Sequence, residues 1–165
     1  MDFLYSSGVV KGTGSNRYDP VSNVRRCDFV LMLSRMYNLR AAGTRSFDDV
    51  PEGQYYSAAI ASAKAQNVVT GENGLFYPEE PITREDAMVF LYNAMRAANK
   101  SVPAGSSSEL YAFADYNSVS SSARNAITSM IHMGILKGDD YRRINPASPI
   151  TRAETAAFLH RAMTL

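Results

Sequence analysis

Pro149-Ile150-Thr151-Arg152-Ala153-Glu154-Thr155-Ala156-Ala157-Phe158-Leu159 is the clearest of three versions of one pattern in this chain. The second is Pro81-Ile82-Thr83-Arg84-Glu85-Asp86-Ala87-Met88-Val89-Phe90-Leu91, and a degenerate third is Asn23-Val24-Arg25-Arg26-Cys27-Asp28-Phe29-Val30-Leu31-Met32-Leu33. Each joins an apolar residue to a polar first turn carrying Arg and then to an apolar helical stripe. Each also follows a proline at the same interval: Pro20 to Arg26, Pro78 to Arg84, Pro146 to Arg152. Fixed spacing of this kind marks a repeat architecture, and here it predicts an all-α fold of tandem helix-loop-helix units.

The neighbouring segments repeat in step. Thr151 with Glu154 spells an S/T-x-x-E capping box and Thr83 with Asp86 a weaker one, so helices are expected to start there. Arg25 holds the corresponding place in the first copy, where the cap is lost and a looser helix end is expected. Apolar residues then recur at helical spacing: Ala87, Phe90, Leu91, Ala94 and Met95; Phe158, Leu159, Ala162 and Met163; Met32, Leu33, Met36 and Tyr37. A methionine stripe at this spacing reads as core filling.

Upstream, Gly8-Val9-Val10-Lys11-Gly12, Asn67-Val68-Val69-Thr70-Gly71 and Gly134-Ile135-Leu136-Lys137-Gly138 correspond, with Gly or Asn where a helix ends in the left-handed conformation. Residues 1–7 read as the end of such a helix. The loops run on to Tyr18-Asp19-Pro20, Phe76-Tyr77-Pro78 and Ile144-Asn145-Pro146, where proline favours extended geometry in the residue before it and the aromatic or Ile is expected to plug the core.

Units two and three open with Phe47-Asp48-Asp49-Val50 and Phe113-Ala114-Asp115-Tyr116, each followed by a short amphipathic helix: Tyr56, Ala59, Ile60 and Ala63 on one, Ala123, Ala126, Ile127, Met130 and Ile131 on the other. Pro103 to Ser108 reads as an exposed linker. The units are therefore a partial first (1–42), a second (43–100) and a third (101–165), sharing one structural domain.

With 165 residues, a net charge of +1 and 20% charged residues, the chain carries no basic field for nucleic acid or an anionic membrane. No apolar run reaches the roughly 20 residues that span a bilayer, and Met1-Asp2-Phe3 lacks a basic signal-peptide start. A single cysteine, Cys27, excludes an internal disulfide and a multi-cysteine metal site; it is expected to be a small packed side chain.

The Phe-x-Asp-Val start, the Ala-Ile-x-x-Ala helix, the Gly-Ile-Leu-x-Gly loop, the Phe-x-Pro plug and Ile-Thr-Arg-Ala-Glu together resemble S-layer homology modules over nearly the whole chain. The resemblance implies a pseudo-threefold helical prism with the second helices packed centrally and ligand grooves between three prongs. It also implies anchoring of exported proteins at the bacterial cell surface, through a secondary wall polysaccharide often bearing a ketal-linked pyruvate. Carried over by position, the binding residues are Thr151, Arg152 and Glu154 in the third unit, Thr83, Arg84 and Glu85 or Asp86 in the second, and Arg26 and Asp28 in the first.

The arginines invite the same reading physically. A cation in the first turn faces the positive end of the helix dipole, a cost of about 0.3–1 kcal/mol that three copies accept. A helix N-terminus with free N–H groups and an Arg fork makes a receptor for a carboxylate. The competing reading pairs each Arg with a protein carboxylate, Asp49 or Asp115, as a staple between units; both stay open at this stage. If the receptor reading holds, Arg84→Ala and Arg152→Ala weaken binding and leave helicity unchanged.

Gly12, Gly71 and Gly138 either let a sugar approach the backbone or serve a turn. Tyr77 and Tyr141 are candidate sugar platforms, whereas Tyr55, Tyr56 and Tyr92 are expected to pack. His132 and His160 have no nucleophile motif near them, and the carboxylate pairs are adjacent in loops, so no catalytic residue, cofactor or metal is assigned. Peptidoglycan is the other wall ligand compatible with these features. A protein-interaction or self-assembly role, through self-association at the incomplete first unit, is the other function class.

Overall fold

Three extended residues, Val24, Ile82 and Ile150, close a cycle of backbone hydrogen bonds at the centre of the molecule. The Val24 amide donates to the Ile150 carbonyl at 3.0 Å, Ile150 to Ile82 at 3.1 Å, and Ile82 to Val24 at 2.9 Å. These segments also make the isolated bridges Asn23 with Thr151, Arg25 with Pro81, and Thr83 with Pro149. All three residues are buried. The computed structural model describes residues 8–9, 19–41 and 45–165. The sequence readings of residues 1–7, Lys11, Gly12 and Tyr18 fall outside them.

Among the described residues the regular structure is helical: α1 (Arg26–Tyr37), α2 (Ser57–Ala65), α3 (Arg84–Ala97), α4 (Ser107–Tyr111), α5 (Arg124–His132) and α6 (Arg152–Met163), with a 3₁₀ turn at Tyr116–Ser118. The all-α expectation holds. Helices α1, α3 and α6 each leave the central cycle, and their predicted stripes face inward: Met32, Leu33, Ala87, Phe90, Leu91, Ala94, Met95, Phe158 and Leu159 are buried, and Met36, Tyr37, Ala162 and Met163 pack at the edge of the core. The methionine stripe is core.

Helix pairing crosses the unit boundaries. The first helix of unit two, α2, packs on α1 of unit one, and α5 of unit three packs on α3 of unit two; α1 also meets α3. Short helices such as α2 and α5, nine residues each, gain their stability from such packing rather than from propensity. Their ends follow the expected chemistry: Asn67 and Gly134 stand at φ 54° and 69°, with Val68 donating to Ala63 and Ile135 to Met130 in Schellman geometry.

Two expectations are corrected. The stretch read as an exposed linker is largely exposed, but it runs into the start of α4, whose Ser106 and Glu109 form a reciprocal capping box and whose Leu110 is buried. A Cβ on Gly105 would fall on the Thr128 carbonyl, so the linker backbone lies directly on α5. Second, the residues before the three plug prolines are left-handed rather than extended: Asp19, Tyr77 and Asn145 have φ of 47°, 57° and 55°. The turn buries Phe76 or Ile144 and at the same time aims the following proline carbonyl at a neighbouring helix, which outweighs the local preference, at a cost of order 1–3 kcal/mol per residue.

Candidate functional site

Each second helix begins by handing its first two free amides to the loop of another unit. Arg26 and Cys27 donate to the carbonyls of Glu80 and Pro78, both at 2.9 Å; Arg84 and Glu85 to Ser148 and Pro146 at 2.9 and 3.0 Å; Arg152 and Ala153 to Ser22 and Pro20 at 2.9 and 3.0 Å. These N–H groups are therefore consumed by protein carbonyls. The expected receptor of free helix-terminal amides is corrected: the first two amides of each of these helices already have protein partners. The same bonds overturn the looser end expected for α1, which lacks a side-chain cap at Arg25 but keeps both amide bonds. Thr83 accepts from the Asp86 amide at 3.1 Å, and Thr151 with Glu154 forms the full capping box.

The arginine side chains lie along these junctions. Arg26 donates from Nε to the Phe76 carbonyl at 2.9 Å, pairs through Nη1 with Asp86, and lies 4.9 and 5.2 Å from the ring centroids of Phe76 and Phe90. Arg84 repeats the arrangement: Nε to the Ile144 carbonyl at 2.7 Å, Nη1 to Glu154, and the guanidinium 5.2 Å from the Phe158 ring centroid. Both side chains are largely buried, at 13% and 9% exposure. A staple between units exists, but its acid is Asp86 or Glu154 of the next unit, not Asp49 or Asp115. Nη2 of neither arginine bonds a described residue, so part of each fork still faces out.

Asp49 and Asp115 brace the strained plug turns. Asp49 accepts from the amides of Phe76 and Tyr77 at 2.8 and 2.6 Å, and Asp115 from those of Ile144 and Asn145 at 2.8 and 2.7 Å. Gly71 and Gly138 have a packing reason: a Cβ would come 2.6 Å from the Phe47 ring in one and from the Phe113 ring in the other.

Two grooves result. The first, about 490 Å³, brings together Arg26, Gly71, Tyr77 and Thr83 with Glu72, Glu80 and Asp86. The second, about 290 Å³, brings together Arg84, Gly138 and Asn145 with Lys137, Glu154 and Arg161. Arg161 was not singled out in the sequence; its correspondence with Asn93, which also donates to a loop carbonyl, is the signal that could have found it. Tyr141 is 75% exposed beside Arg143 and lines neither groove, and Thr151 caps α6 beside the second. A further cleft of about 830 Å³ between α1 and α2 holds none of the candidate residues.

The titratable groups at these junctions are settled by their neighbours. Burial, with Asp28 adding to it, pushes the Cys27 thiol up to about 11, so it stays protonated. Tyr55, expected to pack, is exposed instead and donates to Asp28 at 2.6 Å, with Arg25 bridging Asp28, Glu79 and the Tyr55 hydroxyl. Asp139 accepts from the amides of Tyr141 and Arg143, both at 2.9 Å, and from the side chains of Arg143 and Asn145; the Arg143 amide leads in lowering its carboxyl to about 2.

Helical repeats joined end to start by loop carbonyls, with an arginine-lined groove at two of the three described junctions, define a modular all-helical domain that presents clefts between its units. Residues 46–88 and 112–156 match the S-layer homology domain, and the chain belongs to that family. It is 29% identical over 163 residues to the exoglucanase XynX of Acetivibrio thermocellus, covering 97% of this chain and 15% of that protein. Identity to the amylopullulanase of Thermoanaerobacterium thermosulfurigenes is also 29% over 163 residues, covering 97% and 8%. Identity to the S-layer protein of Bacillus thuringiensis subsp. finitimus is 24% over 163 residues, covering 96% and 19%. The chain thus spans less than a fifth of the length of each of these relatives.

Proposed function

We propose that this chain is a non-catalytic anchoring module that holds a larger exported protein on the cell surface by binding an anionic secondary wall polysaccharide in the grooves between its units. The observation that carries the reading is the arginine at two of the junctions, Arg26 and Arg84: each is a largely buried guanidinium, held by one backbone carbonyl and one carboxylate, that lines a groove. A ketal-linked pyruvate carboxylate is the ligand group that suits such an edge, because it stays ionised at ordinary pH. Membership of the family and the S-layer protein among the relatives support the wall as the target. The three-module, pseudo-threefold reading is supported by the closed cycle of Val24, Ile82 and Ile150. In it the first module supplies Arg26 to a working groove, and Arg152 serves a third.

One charge-assisted hydrogen bond contributes roughly 1.5–3 kcal/mol, so a single groove binds one sugar modestly. Two or more grooves on one polymer raise the avidity through effective concentration.

The test is co-sedimentation with Gram-positive wall sacculi before and after mild acid extraction of the secondary polymer, at two salt concentrations. Binding that disappears on extraction and weakens with salt supports the reading. Binding that survives extraction assigns the module to peptidoglycan, and absence of binding transfers it to a protein-interaction role.

A further inference from the structure

The two grooves share a frame and differ in charge. Arg26 corresponds to Arg84, Gly71 to Gly138, Pro81 to Pro149 and Asp86 to Glu154, yet Thr70 stands where the second has Lys137, Glu80 where it has Ser148 and Tyr77 where it has Asn145, and Asn93, at the position equivalent to Arg161, does not line the first groove. The first groove sets one cation against Glu72, Glu80 and Asp86. Of these only Asp86 is spent on the arginine; the Glu72 and Glu80 carboxylates make no hydrogen bond among the described residues and are exposed. The second groove sets Arg84, Lys137 and Arg161 against Asp139 and Glu154. Both of its acids are spent internally: Asp139 on its own loop, Glu154 on Arg84 and on the Thr151 amide and hydroxyl.

From this we infer that the grooves are sorted by ligand charge. The second groove takes the carboxylate-bearing sugar, with Lys137 and Arg161 as the residues that set that specificity. The first, although Arg26 offers the same edge, refuses it through the unspent carboxylates of Glu72 and Glu80, and takes an uncharged sugar of the same polymer against the Tyr77 ring. The inference rests on the wall-polysaccharide reading and adds an order to it: the module reads a charged and an uncharged residue at two places along one polymer.

The required test substitutions already stand at the equivalent positions of the other repeat, so they are compatible with the fold. Asn93 bonds the Val68 carbonyl at 3.2 Å as Arg161 bonds that of Ile135 at 2.8 Å, so Arg161→Asn retains a donor there. Glu80 and Ser148 contribute only their backbone carbonyls to the helix starts, so exchanging their side chains leaves those bonds in place.

The experiment is an amide NMR titration of the full chain with two probes, a methyl glycoside of a pyruvate-ketal hexose and its uncharged methyl ester. The acid is expected to move the Gly138 and Asn145 amides and the ester those of Gly71 and Tyr77. The variant Lys137→Thr/Ser148→Glu/Arg161→Asn is expected to lose about tenfold in affinity for the acid. The reciprocal Thr70→Lys/Glu80→Ser/Asn93→Arg is expected to bring the acid to Gly71. The inference is overturned if the acid moves Gly71 and Gly138 equally, if neither exchange changes its preference, or if it moves neither groove. Sedimentation of the same protein with walls separates these outcomes from failure of the anchoring reading, which alone predicts loss of wall binding.

Discussion

Arg84→Ala tests whether the groove arginine is also what joins units two and three. The residue is 8% exposed, and its removal deletes two bonds and a ring contact. The ion-pair share is small, because the Glu154 side chain is 42% exposed and keeps the Thr151 amide and hydroxyl as donors; at most about 1 kcal/mol is assigned to it. The larger share comes from the Ile144 carbonyl, on a fully buried residue, which loses its Nε–H donor; an unpaired buried acceptor costs about 1–3 kcal/mol. The sum is about 1–4 kcal/mol. In a domain of this size each kcal/mol moves the melting midpoint by about 2–4 °C, so a fall of about 2–16 °C is expected by thermal circular dichroism at 222 nm. Arg84→Lys keeps the charge but lacks the Nε–H, and should recover only the ion-pair part. A midpoint for Arg84→Ala indistinguishable from wild type would refute the stapling role and return the arginine to a purely ligand-facing residue.

Gly71→Ala should destabilise more than Gly138→Ala by thermal unfolding, because its Cβ meets the Leu75 carbonyl as well as the Phe47 ring, whereas at Gly138 the nearest backbone atom is 3.2 Å away. Asp115→Asn replaces one acceptor with a donor facing the Ile144 or Asn145 amide; amide exchange at those residues should rise by at least about tenfold while α6 stays protected. Native-state alkylation of Cys27 should be negligible at pH 8 and rise only as pH nears 11 or urea unfolds the chain. The sign follows from a thiol raised above its ordinary 9.0: its contribution to stability is full below about pH 9 and is lost as pH rises through about 11.

The repeat, the helix registers and the left-handed helix ends were legible in the sequence because each is a local rule written more than once: a stripe at helical spacing, an Asn or Gly in the closing position. The partners of the arginines were not. Asp49 and Asp115 look like acids waiting for a cation, and only the three-dimensional order of units reveals that Asp86 and Glu154 reach across the boundaries first. The left-handed Tyr77 and Asn145 were hidden because the local rule before proline points the other way, and the turn is imposed by a carboxylate 28 or 30 residues upstream in sequence. α4 was hidden for a different reason. Its Ser106-x-x-Glu109 box was present but stood in a stretch whose Pro, Gly and Ser content reads as linker.

The central cycle and the helix starts are built from backbone groups, and that has a consequence for how such a module diverges. Val24, Ile82 and Ile150 hold one another by amide and carbonyl, and every second helix is capped by carbonyls from another unit. No side chain is needed for those bonds, so the first copy keeps its place even with Arg25 where the others have a capping Thr. The side chains around the grooves are thereby released from holding the units in register, apart from the arginine and its acid. Thr70 can stand where another groove has Lys137, and Glu80 where it has Ser148, without loss of the frame. On the anchoring function proposed above, such a scaffold lets ligand preference vary groove by groove, and the charge differences between the two grooves are where that preference would be written.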